Sequence, residues 1–162
     1  MAIDAFLKID GIPGESTDEK HSEWIEILSY TFSASQSSSG SRSTGGAASS
    51  GRVDFSDFSI MKGIDIATNK LLEHVCTGKH ISEITLEICT AAAEKTPYVL
   101  ITMKDVLITQ VAPAGSAGGD PMETVSFNFG QITCTYTQLD HATGAKKGNV
   151  AFGWDLEKNK SC

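Results

Sequence analysis

Apolar and polar positions alternate along most of this chain. From Ile3 to Ile9, the residues Ile3, Ala5, Leu7 and Ile9 fall on one side and Asp4, Phe6 and Lys8 on the other, the period of two that marks a strand with one buried face. Gly11, Pro13 and Gly14 end it, and the polar run Glu15 to Lys20 reads as a surface loop. From Trp24 to Ser33 the alternation changes phase near Ile27 and Leu28, as a bulge would make it do. Beyond that point Ser29, Thr31 and Ser33 lie opposite Tyr30 and Phe32, which leaves one side of the strand small and hydroxylated. Val53 to Met61, Ile81 to Cys89, Tyr98 to Val111 and Glu123 to Thr137 predict further strands, with breakers at Glu94 to Pro97 and in the glycine-rich Ala112 to Pro121. A last strand is expected near Val150 to Leu156, after a turn over Thr143 to Asn149.

Two segments depart from this pattern. Ile64, Ala67, Leu71, Leu72, Val75 and Cys76 recur at spacings of three and four, with Asp65 or Thr68 as candidate cap and Gly78 beyond the end. They predict one short amphipathic helix at about 65–77. Over 33–51, thirteen of nineteen residues are Ser or Gly and none is a large apolar residue, so the segment cannot form core. As an interdomain linker it would leave too short a unit before it, so it reads as a long loop within a single domain spanning 1–162. Many strands, strong turn signals and one helix place the fold in the mainly β class, an antiparallel β-barrel or sandwich.

Composition narrows the function. With 40% hydrophobic and 20% charged residues the chain is globular in character. A formal charge of −7 without a Lys/Arg cluster argues against nucleic acid as a partner. Met1 to Asp10 lacks the basic and apolar regions of a secretory signal, and no apolar run reaches the roughly 20 residues of a membrane helix. A soluble protein made in the cytoplasm, without membrane insertion, is expected. Cys76, Cys89, Cys134 and Cys162 are scattered. Three read as small core residues and Cys162 as exposed.

Catalytic chemistry finds little support. His74, Cys76 and nearby His80 offer zinc-ligand types, but two residues apart on a helix His74 and Cys76 point in different directions. Ser59-Ile60-Met61-Lys62 matches the S-x-x-K string of serine acylases without its companion strings. No nucleophile elbow, zincin string or phosphate loop is present. The chain is expected to be no enzyme, and neither cofactor nor metal is expected.

Ordered strings along the chain do resemble a known family. Met-Ala-Ile-Asp-Ala-Phe-Leu-Lys-Ile at the start, the Gly14-Glu15-Ser16 turn with His21, and Ile27-Leu28-Ser29-Tyr30 are similar to the Hcp (haemolysin-coregulated protein) family. So are Lys62 and Asp65 before the helix, Cys76-Thr77-Gly78-Lys79-His80, and Gly153-Trp154-Asp155. The resemblance spans essentially the whole chain. Asn69 departs from it, standing where many relatives carry proline, as does the serine-rich 33–51 segment.

That resemblance implies a compact β-barrel with one helix, assembled as a homo-hexameric ring. Rings stack into the inner tube of the type VI secretion system, which works with other tube, spike and sheath components, carries small protein effectors and is itself exported without a signal peptide. On this reading Ser29, Thr31 and Ser33 are candidates for the lumen and its cargo, because a channel passing varied cargo should be wet and uncharged. Gly40, Arg42, Thr44, Gly45, Gly46 and Arg52 belong to the candidate ring-stacking loop. The alternatives are a monomeric β-sandwich ligand-binding module, for which Trp24 and Trp154 lie in separate regions, and a secreted enzyme or toxin, which needs Ser59 or the Cys/His residues to converge.

Overall fold

The computed structural model describes residues 2–39, 49–92 and 94–162. In chain order these form β1 (Ile3–Ile9), β2 (Ile25–Ile27), β3 (Ser29–Thr31), β4 (Ala34–Ser39), β5 (Ser49–Phe55), β6 (Phe58–Gly63), α1 (Thr68–Thr77), β7 (Ile81–Thr90), β8 (Pro97–Ser116), β9 (Gly119–Leu139), β10 (Lys146–Asp155) and β11 (Lys160–Ser161). The fold is mainly β and antiparallel, with one short helix.

A nine-stranded sheet runs β11-β10-β9-β8-β7-β1-β2. β9 is paired by β8 along nearly its whole length. Its other edge is shared by β6, over 122–127, and by β10, over 131–139. β3 then pairs with β6. The hydrogen-bonded ladder therefore branches and does not close into a barrel. Its apolar face, including Leu7, Ile25, Leu86, Met103, Phe127 and Ile132, forms one core, against which α1 lays Leu71.

The phase change at Leu28 is a change of partner rather than a bulge. β2 pairs with β1 (Ile27 opposite Ala5), whereas β3 pairs with β6 (Ser29 opposite Met61). Leu28 between them is 68% exposed and donates its N–H to the Met61 carbonyl at 2.8 Å.

Two expectations need correction here. The 33–51 segment is strand on both sides rather than loop: β4 and β5 pair as a separate two-stranded sheet from Ala34↔Phe55 to Ser39↔Ser49. Serine and glycine lack core-forming bulk but can extend into a backbone-paired hairpin, which needs no apolar side chains. The breaker Ala112 to Pro121 is also mostly strand, since β8 and β9 stay paired to Ser116↔Gly119 and leave only 117–118 in the turn.

Phe6 lies on the face that alternation assigns to Asp4 and Lys8, yet it is buried. The loop over 14–24 folds back across that outer face and covers it. Gly14 donates to the Glu23 carbonyl and Ser16 to the Trp24 carbonyl. A Cβ at Gly14 would sit 2.4 Å from the Trp24 carbonyl oxygen, so only glycine fits this close approach. His21 stacks on Phe6 at 4.2 Å, and Trp24 meets His21 edge-on.

Helix α1 starts at Thr68, three residues inside the expected span. Neither proposed residue acts as an N-cap, which is Ala67, but Asp65 accepts a hydrogen bond from the Ala67 N–H. Gly78 ends the helix in the left-handed region (φ 68°), returning its N–H to the His74 carbonyl.

Candidate functional site: an uncovered apolar strip and a hydroxyl face

The core face of the sheet continues past the region that the rest of the chain covers. Cross-strand register puts Val99, Tyr136 and Val150 in one row, and Ile101, Cys134 and Phe152 in the next. In the row further along, Met103 and Ile132 are fully buried, but Val150 is 72%, Tyr136 51% and Phe152 50% exposed. Tyr30 and Phe32 border this strip, and both stack on Phe58 beneath. Together these residues line an open groove of about 500 Å³. Burial pushes the pKa of the Tyr30 hydroxyl and of the Cys134 thiol up, so both stay neutral and the groove carries no charge of its own. Its location follows from local sequence: the strands β8 to β10 keep their apolar alternation after the covering segments have run out.

A second surface lies on the opposite side of β3 and β6. Thr31 stands opposite Ser59, Ser59 opposite Ser126 and Ser126 opposite Gln110. Ser29 stands opposite Met61 and Met61 opposite Thr124. Because directly paired residues share a face, these hydroxyls line one side of four strands, with Ser126 buried and Ser59 and Thr124 half-buried. The Ser59 and Ser126 hydroxyls bond each other at 2.8 Å. Ser29 and Thr31 are exposed on it. Ser33, also exposed, lies past the end of β3, where its N–H donates to the Ser56 hydroxyl and its carbonyl accepts from the Ser56 N–H.

Of the candidate stacking residues, Arg52 lies in β5 and donates to the Leu156 carbonyl of its own chain. Gly40, Arg42, Thr44, Gly45 and Gly46 lie outside the described residues.

The residues weighed for chemistry do not converge. Ser59 and Lys62 sit on opposite faces of β6, and Lys62 is fully buried in a separate cluster. Its ammonium bonds Asp65 at 2.7 Å and Glu123 at 2.5 Å, while Thr68 donates to the same Glu123 oxygen. His74 is buried with Nδ1 on the Lys70 carbonyl, whereas Cys76 and His80 face outward. Cys76 is thus not the core residue expected of it; Cys89 is buried, Cys134 half-buried and Cys162 exposed.

A chain with this fold, strip and helix cap has clear relatives. The family model "Type VI secretion system effector, Hcp" matches residues 6–136. The chain belongs to the Hcp family. It is 40% identical to protein hcp1 of Pseudomonas aeruginosa over 162 residues, covering 98% of each. Among solved structures it is similar to a type six secretion system protein (TM-score 0.93, 30% identity, 99% of this chain and 100% of that one). It is also similar to Hcp1 from Salmonella typhimurium (TM-score 0.82, 32% identity, all of both chains). The family places the chain in the type VI secretion system. Among the described residues no helix is long and apolar enough to cross a membrane.

Proposed function

We propose that this chain is a structural, non-catalytic subunit of the type VI secretion tube, forming homo-hexameric rings that stack, carry small effectors in the lumen and leave the cell with them. The observation that carries this reading is the uncovered strip of Tyr136, Val150 and Phe152 on β9 and β10. An apolar strip that continues a core face calls for a covering surface, and in a ring a second copy supplies it through a heterologous contact.

The exposed hydroxyls of Ser29, Thr31 and Ser33 face the lumen in this reading, and the candidate stacking segment over 33–51, with Arg42 and Arg52, contacts the next ring. Wet, uncharged lining releases cargo as readily as it admits it. The chain is made in the cytoplasm and is exported by the machine it builds.

Thr31→Trp tests the lumen assignment. Rings of the variant should form as in the wild type but retain less co-expressed effector in pull-downs. Unchanged retention places cargo elsewhere. Stacked rings imaged by electron cryomicroscopy with the 33–51 segment free of inter-ring contact would refute the stacking role.

A further inference from the structure

Under the loop over 14–24, three side chains of metal-ligating type meet on the outer face of the sheet. His21 Nε2 lies 2.8 Å from Glu87 Oε2 and 3.9 Å from Cys89 Sγ, and the three ligand atoms all fall within 4.8 Å of one another. The strand explains the pair: Glu87 and Cys89 are two apart on β7 and so share a face, while Ile88 between them enters the core. The loop delivers the histidine, fixed by its stack on Phe6 and by Asp18, whose Oδ1 lies 2.7 Å from Nδ1.

We propose that His21, Glu87 and Cys89 form a site for one zinc-class divalent cation, bound through Nε2, Oε2 and Sγ, with Asp18 holding the imidazole through Nδ1. The ligand types and number are those of a zinc site with three protein ligands and one open position. Bonds of about 2.0 to 2.3 Å set ligand atoms roughly 3.3 to 3.7 Å apart, so the 3.9 Å His–Cys spacing must close by a few tenths of an ångström and the 2.8 Å His–Glu spacing open by about half an ångström. Glu87 is free to do so, its side chain being 25% exposed. Asp18 on the distal nitrogen is the carboxylate–histidine–metal arrangement that orients a ligating ring.

Charge favours the cation as well. Asp4, Asp18 and Glu87 surround the cluster and Lys95, bonded to Asp4 at 3.1 Å and Asp18 at 2.8 Å, offsets only part of them. On binding, the Cys89 thiol gives its proton to the buffer and ligates as thiolate beside the carboxylate and the imidazole. The bound ion would pin the 14–24 loop to β7.

Cobalt(II) titration of the full-length protein, freed of metal by chelator, tests this. The expected result is a thiolate-to-cobalt charge-transfer band saturating at one equivalent. It should persist when the exposed Cys76 and Cys162 are both changed to Ser and vanish in Cys89→Ser. Zinc should raise the melting temperature of the wild type and not that of Cys89→Ser. Should that variant fail to fold, Glu87→Gln at the part-exposed ligand should weaken cobalt binding on the order of tenfold or more, and Asp18→Asn by about 10- to 100-fold. Absence of the band, its survival in Cys89→Ser, or unaltered affinity in Glu87→Gln overturns the site.

Discussion

Lys62 and Glu123 carry opposite charges at full burial, directly paired in the β6–β9 register. Removing one partner strands the other charge in the core, which costs about 3 to 5 kcal/mol, whereas replacing both by apolar residues is often neutral. Lys62→Met should accordingly lower stability by about that amount in urea unfolding, and Lys62→Met with Glu123→Leu should recover most of it. A single variant as stable as the wild type would mean that the cluster contributes nothing. This pair was legible in the alternation. Lys62 is in phase with Phe58 and Ile60, and Glu123 with Val125 and Phe127, so each is the next member of a core-facing run. The strand expected over Val53 to Met61 stopped one residue short of Lys62, which lies within β6.

Asp18 joins Lys95 and His21, and these bonds hold its carboxyl well below the usual range. A depressed folded-state value stabilises above the unfolded pKa and is lost as pH falls through the folded one. Asp18→Asn should therefore be less stable than the wild type at pH 7, with the difference shrinking once pH drops below about 4. Urea midpoints for both proteins across that range check it. A gap independent of pH would assign the loss to packing instead. Nothing periodic marks His21, Glu87 and Cys89 as neighbours, because His21 arrives on a loop and only the three-dimensional fold brings it over β7. The one local hint was Phe6, an aromatic between Asp4 and Lys8 that asks for a cover.

At the scale of elements, hydrophobic period located β1, β7 and the helix within a few residues, since each presents one unambiguous face to the core. It failed where backbone pairing alone makes the strand. The serine-rich β4–β5 hairpin and the glycine-bearing tip of β8 and β9 are strands without an apolar face, and composition reads such segments as loop. The helix end was correctly marked by Gly78. Its left-handed backbone strains any residue with a Cβ, so Gly78→Ala should cost about 1 kcal/mol, read as a lowered melting temperature with unchanged spectra. An unaltered melting temperature would mean that the cap relaxes freely.

For the whole molecule, the apolar strip is the feature that the folded chain leaves unfinished. Alternation marked Tyr98 to Val111 and Val150 to Leu156 as strands, and the face they turn to the core is buried at one end only. Which part lies bare depends on how far the covering segments reach, a property of topology that no local pattern encodes. Phe152→Glu should place a charge in the strip, leave the strand spectra intact and prevent assembly, because an unpaired charge at the centre of an apolar contact is costly.

Light scattering coupled to size-exclusion chromatography tests the assembly most directly. A ring gives a mass about six times that of the 17.2 kDa chain for the wild type, and one chain mass for Phe152→Glu. A wild-type protein that elutes at a single chain mass across the concentration range contradicts it.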